Sequence, residues 1–371
     1  MKTKVWLVIR GLKDGGAENL AREYAQYVNP NQFEPTIVTM YPFINYANYR
    51  KAMDSGLRVI SVFERRNVFT RGVRVLFGKW YIPFRLRRMM MRDNPDVIHF
   101  NSPMVVDFMP VAESLVGRRL VYTCHTEVQR HFFPEEEIGV RKLIKQQGIR
   151  LIGLHEDMRK ELNARFGVSD TVVIKNGVDL ERFRRYTRPN IELRESIGVP
   201  KDAFVVGHVG RFTQAKNHTF LLRIFKEITR RKSNAHLLLV GNGVLEAEIR
   251  RQVSELELGS QITILSHRTD IPELLSVMDV MVFPSFYEGL SVTLVEAQAS
   301  GLRCIVSDSI NHENLLLDTT IPMSLSSNAA QWAEATMDLE RRNADYGNIE
   351  DYDIKREIQR LEKVYCGNNP D

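Results

Sequence analysis

Short runs of apolar, β-branched residues recur along the chain, separated by longer stretches whose apolar positions fall three and four apart. The runs at 5–9, 35–40, 59–62, 97–100, 120–123, 151–154 and 171–174 read as strands of the first half. Those at 205–209, 236–240, 262–265, 280–283 and 304–307 repeat the pattern in the second. Amphipathic stretches at 17–28, 158–166, 220–231, 245–256, 271–278, 292–300 and 354–365 read as helices. Alternation at this spacing implies an α/β protein of doubly wound parallel sheets covered by helices on both faces. It occurs twice. The interruption at 178–200 (VDLERFRRYTRPNIELRESIGVP) is polar, holds two prolines and reads as the linker into a second domain.

Open parallel sheets bind ligands beyond the carboxyl ends of their strands, so the segments that follow strands carry the chemistry. Gly15-Gly16, in RGLKDGGAENLAREYA, follows the first strand and opens a helix. Glycines there permit a tight turn and close backbone approach to an anion, although a plain turn has the same pattern. In GHVGRFTQAKNH (207–218), Arg211 and Lys216 sit five apart in one loop. A fork-shaped guanidinium and a mobile ammonium suit a diphosphate, the alternative being two solvated surface cations.

The most informative segment is FPSFYEGLSVTLVEAQASGLRCIVS (283–307). A strand ends at Phe283, Glu288-Gly289 lie in the following loop, Ser291 is a candidate N-cap, and Gly301 is a fitting stop. The amides of Leu290, Ser291 and Val292 are then expected as free donors. Glu288 in the loop and Glu296 on the helix are acceptors for sugar hydroxyls. His125, in VYTCHTE, stands at the carboxyl end of the fifth strand, where a histidine is either structural or catalytic. Cys124 beside it reads as a small buried residue.

A length of 371 residues accommodates two domains, and 26% charged with 43% hydrophobic residues describes a soluble globular protein. No apolar run approaches the roughly 18 residues of a membrane span. The apolar stretch before Arg10 is too short for a secretory signal and reads as a first strand, which implies a cytoplasmic protein. Three distant cysteines, Cys124, Cys304 and Cys366, support neither a disulfide framework nor a zinc site. The net charge of +5 is uneven: residues 1–100 hold 17 Lys or Arg against 8 Asp or Glu. Within them, residues 63–92 carry nine basic side chains and one acid, Glu64, interleaved with Phe63, Phe69, Phe77, Trp80, Tyr81 and Phe84. This stripe suits an anionic membrane surface or a lipid-linked phosphate. The alternatives are a solvated helix face over a core, or nucleic acid, for which no recognition module appears elsewhere.

Taken together, VIKNGVDLERF, VGHVGRFTQAKN, LLLVGNGVLEAEI, SHRTDIPELLSVMDV and FPSFYEGLSVTLVEAQASG resemble the retaining GT-B glycosyltransferases of family 4, and in that family's order. The last segment holds the family's spaced glutamate pair as Glu288 and Glu296. The resemblance implies two facing Rossmann-like domains with a central cleft. Residues 1–175 would form the acceptor domain, with the helix at 354–366 packed back on it, and 176–350 the donor domain. Donor contacts would come from Gly15, Gly16, Gly210, Arg211, Lys216, Arg268, Glu288, Gly289, Leu290, Ser291, Val292 and Glu296. Arg211 and Lys216 would hold the diphosphate, Glu288 the transferred sugar, Glu296 the ribose, and Arg268 would lie near the base. Glu288, Arg211, Lys216 and His125 would form the catalytic set.

The resemblance further implies a nucleotide diphosphate sugar as donor, a UDP-sugar being favoured, and the basic, aromatic stripe suggests a glycan or lipid-linked acceptor in surface polysaccharide synthesis. The enzyme would sit in the cytoplasm, peripheral to the inner face of the membrane. No cofactor or metal is expected, since no DxD follows a strand and Asp351-Tyr-Asp353 lies in a polar tail. Two departures stand out: His155 where the family often has serine, and Lys175 where it often has proline. Rival readings are an NAD-dependent oxidoreductase, a non-catalytic nucleotide-sugar-binding partner of another transferase, and a GT-B epimerase. The oxidoreductase reading rests on Gly241-Asn-Gly243, which has Glu246 in place of a third glycine.

Overall fold

Strands apolar on both faces are buried only when helices cover both sides of the sheet, and both halves of the chain fold in this way. A computed structural model describes residues 2–13, 16–65, 67–184, 190–266, 268–288, 290–342 and 347–370. The chain divides into two units, residues 1–177 with 354–371, and residues 178–353.

The first unit holds β1 (Thr3–Ile9), β2 (Phe33–Thr39), β3 (Arg58–Ser61), β4 (Val97–Phe100), β5 (Arg119–Thr123), β6 (Arg150–Gly153) and β7 (Val172–Val173). They are parallel, in the order β3-β2-β1-β4-β5-β6-β7. One face of β1 (Val5, Leu7, Ile9) packs with Leu20 and Tyr24 of the Gly16–Tyr27 helix and with Ile354, Ile358, Leu361 and Tyr365 of the last helix, Ile354–Cys366. Buried polar bonds fix that helix in place. His99 Nδ1 lies 2.7 Å from the Tyr365 hydroxyl and its Nε2 lies 2.7 Å from Thr123 Oγ1. The buried Glu357 accepts the Lys175 amide at 2.6 Å.

The second unit holds β8 (Phe204–Val209), β9 (Ala235–Val240), β10 (Ile262–Leu265), β11 (Val280–Phe283), β12 (Arg303–Ser307) and β13 (Thr320–Met323), parallel in the order β10-β9-β8-β11-β12-β13. Leu221, Leu222, Phe225 and Ile228, on the apolar side of the His218–Arg231 helix, fill its core with strand residues such as Val206, Leu237 and Val282. In each sheet the order reverses beside the first strand, between β1 and β4 and between β8 and β11. Loops leaving the carboxyl ends of such a pair diverge and leave a crevice, where doubly wound sheets bind ligands.

Two departures from the sequence reading have physical causes. The polar segment 178–200 is not a linker: it forms helices Leu180–Arg184 and Ile191–Ser196 within the second unit. Arg194 is buried there, donating to the carbonyls of Val277, Lys201 and Ala203 and pairing with Asp279 at 3.2 Å. A satisfied internal cation looks like surface in a sequence. The strand β13 was missed because its Pro322 argues against a ladder, and an edge position tolerates it.

The basic, aromatic stretch forms one long helix, Val68–Asp93, started by a capping box between Asn67 and Thr70. Its core side is Ile82, Leu86, Met89 and Met90. Phe63, just before it, is also interior, stacked between Tyr41 and Tyr81 at 4.9 and 5.0 Å. Leu76, Phe77, Trp80, Phe84 and Met91 face outward instead, Trp80 being 81% exposed. No helix among the described residues is long and apolar enough to cross a membrane.

Candidate active site

At the crevice of the second unit, the loop after β8 carries Gly210, Arg211 and Lys216, and the loop after β11 carries Glu288. The two loops are bonded to each other, the Phe286 amide donating to the Ala215 carbonyl at 2.8 Å. Asn217 takes a left-handed conformation (φ 52°) that turns the chain sharply into the His218–Arg231 helix; asparagine tolerates this conformation better than most residues.

The loops bring Lys216 Nζ within 2.7 Å of Glu288 Oε1, the two side chains being 14% and 15% exposed. The ammonium also lies 4.3 Å from the centre of the Phe283 ring. Burial lowers the Lys216 pKa from its ordinary value, the Glu288 carboxylate opposes the shift, and the nearby Arg211 charge adds to it. Arg211 is exposed on the same loop. The result is a cation with little water around it, poised against a carboxylate, with a second cation alongside.

The start of the Val292–Ala299 helix differs from expectation. Ser291 occupies the N-cap position, but its side chain makes no capping bond. Its amide is not free either, since Asn314 Oδ1 accepts it at 2.8 Å. Asn314 is held by Gln298, whose Nε2 donates to the Asn314 carbonyl at 2.8 Å and whose Oε1 accepts from Leu316, Leu317 and Thr320. This buried amide network fixes the helix start in the absence of a capping hydroxyl. Leu290 is buried beside it, Val292 opens the helix, and Glu296 lies a turn further on, half-buried. Arg268 is engaged with Asp270 in a two-pronged pair, Nε to Oδ1 at 2.8 Å and Nη2 to Oδ2, which fixes the plane of the guanidinium. Gly289 and Gly15 lie outside the described residues. Gly16 begins the first unit's helix with open space where a side chain would stand.

Gly241 and Gly243 serve packing and not a dinucleotide turn. Gly241 has φ of +155°, and a Cβ on it would lie 1.9 Å from the Gly210 carbonyl oxygen. A Cβ on Gly243 would lie 2.4 Å from the Phe212 carbonyl oxygen. The loop bearing Arg211 thus lies directly on the loop after β9, bonded through Phe212 N–H to the Asn242 carbonyl at 2.8 Å.

In the first unit, the equivalent crevice lies beyond β1 and β4, with β5 next to β4. Arg10 follows β1, its amide bonded to Ser102 Oγ at 3.0 Å. His125 follows β5 and lies 3.3 Å through Nε2 from Asn101 Oδ1. Asn101 Nδ2 donates to the His99 carbonyl, so its oxygen must face His125 and accept from Nε2–H. Burial, then the neighbouring His131, pulls the His125 pKa down to about 3, leaving a neutral ring with its Nδ1 lone pair available. Cys124 is buried, and burial pushes its thiol up to about 12, in line with a packing role.

The two departures from the family pattern are accommodated. His155 caps the Glu156–Phe166 helix, its Nδ1 accepting the Met158 amide at 3.2 Å, the work a serine hydroxyl does at that position. Lys175 supplies the N–H to Glu357, which a proline lacks. The sequence reading missed Asn314, Gln298 and Asn101, which orient their neighbours from distant segments and carry no local signal.

The chain matches the family model for glycosyl transferases group 1 over residues 189–350, and that for glycosyltransferase family 4 over residues 14–182. It is 29% identical over 354 residues to the protein named as glycosyltransferase EpsF of Bacillus subtilis, covering 89% of this chain and 86% of that one. It is 30% identical over 246 residues, 62% of each chain, to the Escherichia coli UDP-Gal:alpha-D-GlcNAc-diphosphoundecaprenol alpha-1,3-galactosyltransferase. Among solved structures, Anabaena HepE in complex with UDP and glucose superposes with a TM-score of 0.76 at 17% identity, covering 98% of this chain and all of that one. WaaG, a glycosyltransferase involved in lipopolysaccharide biosynthesis, superposes with a TM-score of 0.70 at 14% identity, over 98% of this chain and all of that one. With two Rossmann-like parallel-sheet units of the GT-B type and matches along both, the chain belongs to the group 1 glycosyltransferases.

Proposed function

We propose that this glycosyltransferase moves a sugar, with retention of configuration and without a metal ion, from a UDP-sugar to a glycan or lipid-linked acceptor in surface polysaccharide synthesis. The observation that carries the reading is the Lys216–Glu288 pair with Arg211 beside it, at the strand ends where a doubly wound sheet takes its ligand. The glycosidic bond from C1 to the β-phosphate oxygen breaks as the acceptor hydroxyl bonds to C1, and the hydroxyl proton passes to the leaving phosphate oxygen. Negative charge grows on the diphosphate as this happens. Arg211 and Lys216 are preorganised to stabilise it in a partly dehydrated site, where such contacts are strongest. Glu288 accepts hydroxyls of the transferred sugar. The choice of UDP draws on the UDP and UDP-glucose complexes of HepE and on the UDP-galactose donor in the name of the Escherichia coli relative.

A thermal-shift panel of UDP-, GDP- and ADP-sugars with NADH tests the donor. A ligand that binds only the native state stabilises by about 2.7 kcal/mol at a hundred times its Kd, so a UDP-sugar raises Tm and the others do not. A larger rise with GDP or ADP sugars overturns the base, and a rise with NADH alone overturns the class.

The acceptor side of the proposal rests on the Val68–Asp93 helix. Leu76, Trp80 and Phe84 form an outward line at four-residue spacing, flanked by the exposed cations Lys79, Arg87 and Arg88. An exposed apolar ridge with cations suits the interface of an anionic bilayer, where a lipid-linked acceptor resides. The protein is expected to sediment with anionic vesicles and not with neutral ones, and Trp80→Glu to reduce that binding at least severalfold. Equal sedimentation with both vesicle types overturns the assignment.

A further inference from the structure

Beneath the Lys216–Glu288 pair the second unit buries two imidazoles that the proposed chemistry leaves unused. His208, on β8, is fully buried, and its Nδ1 donates to the Val282 carbonyl of β11 at 2.9 Å. A neutral ring protonated at Nδ1 presents a lone pair at Nε2, and His208 Nε2 has no partner among the described residues. His218, at the start of the next helix, is 2% exposed and meets His208 edge-on, with ring centres 4.8 Å apart. Its two ring nitrogens also lack a partner among the described residues. Buried polar atoms normally find partners, so an orphaned acceptor needs a reason.

The reason lies in what converges on Gly210. A Cβ built there would stand 3.1 Å from Lys216 Cε and 3.4 Å from His208 Nε2, so the glycine leaves open the space between lysine stem and imidazole. Both groups also rest on Phe283, Lys216 by its ammonium at 4.3 Å and His208 by stacking at 5.2 Å. The ammonium itself lies on Glu288 Oε1 at 2.7 Å. Resting on the donor-site reading above, we propose that His208 is a positioning residue for Lys216: when the donor's diphosphate draws the ammonium from Glu288, His208 Nε2 accepts one of its N–H groups and holds it on the diphosphate. His218 packs edge-on against both His208 and Phe212. The groups around the ammonium are then Glu288, Arg211, His208 and His218.

The test is calorimetric titration with UDP from pH 7 to 10, on wild type, His208→Phe, His208→Gln and Lys216→Ala. Phenylalanine keeps the stacking on Phe283 and removes the acceptor. UDP should then bind about tenfold more weakly, and the alkaline fall in affinity should begin at lower pH. Glutamine restores an acceptor and should recover both. Wild-type affinity and alkaline limb in His208→Phe, or a loss that glutamine does not repair, overturns the proposal. If Lys216→Ala binds UDP as wild type does, the donor site itself is misassigned; if Lys216→Ala loses UDP while His208→Phe is unchanged, only the role of His208 falls. Should His208→Phe fail to fold, wild-type protein labelled with 15N-histidine gives the answer. UDP should move the His208 Nε2 resonance away from its free lone-pair position, and a stationary resonance overturns the proposal.

Discussion

Lys216→Ala and Glu288→Ala are each expected to slow sugar transfer by about a hundredfold to a thousandfold, the usual cost of removing one preorganised charge partner. Initial rates of UDP release with acceptor present measure this. The two side chains meet at 2.7 Å and are mostly dehydrated, so deleting one leaves the other's charge stranded. Both single variants should therefore lose some thermal stability, and the double variant should recover part of it while remaining inactive. That recovery separates the loss of chemistry from the loss of structure. Near wild-type rates in either single variant sink the assignment.

The same residue sets a pH dependence of opposite sign for activity and stability. Burial holds the Lys216 pKa below its ordinary value of 10.5, with Glu288 opposing and Arg211 adding to the shift. Between the lowered value and the ordinary one, the unfolded chain binds more protons than the folded one, so this group's contribution to stability rises with pH there. Transfer needs the charged form and falls over that same alkaline window. An activity profile that stays flat up to the ordinary lysine range contradicts the role given to Lys216.

Gly241→Ala should be the most damaging single methyl in the second unit. The added carbon meets the Gly210 carbonyl oxygen at 1.9 Å on a backbone with φ of +155°. Backbone against backbone has no flexible end to give way, so the strain and overpacking together cost about 3 kcal/mol or more. The denaturation midpoint should fall accordingly, and any folded protein should bind UDP more weakly, because the displaced strip carries Arg211. Gly16→Ala is the contrasting case, with nothing within 4 Å of its new carbon. It should leave the midpoint unchanged or slightly raised. A neutral Gly241→Ala would show that the two loops do not depend on this contact.

The amino-acid order carries the repeated strand–helix rhythm, because burial on both faces demands continuous apolar runs in every strand. It also shows which short segments follow strand ends, and so that Arg211, Lys216, Glu288 and His125 stand beyond the carboxyl ends of parallel strands. Packing between distant segments sets how those groups are occupied. Lys216 meets Glu288 across 72 positions of sequence, Ser291 gives its amide to Asn314, and Asn101 turns the ring of His125. It likewise decided that a run of polar residues hides the buried Arg194, and that Trp80 faces outward from a helix whose core side lies opposite. These outcomes depend on which groups desolvate one another, and that is set by packing between distant segments, which no local pattern of apolar and polar residues encodes.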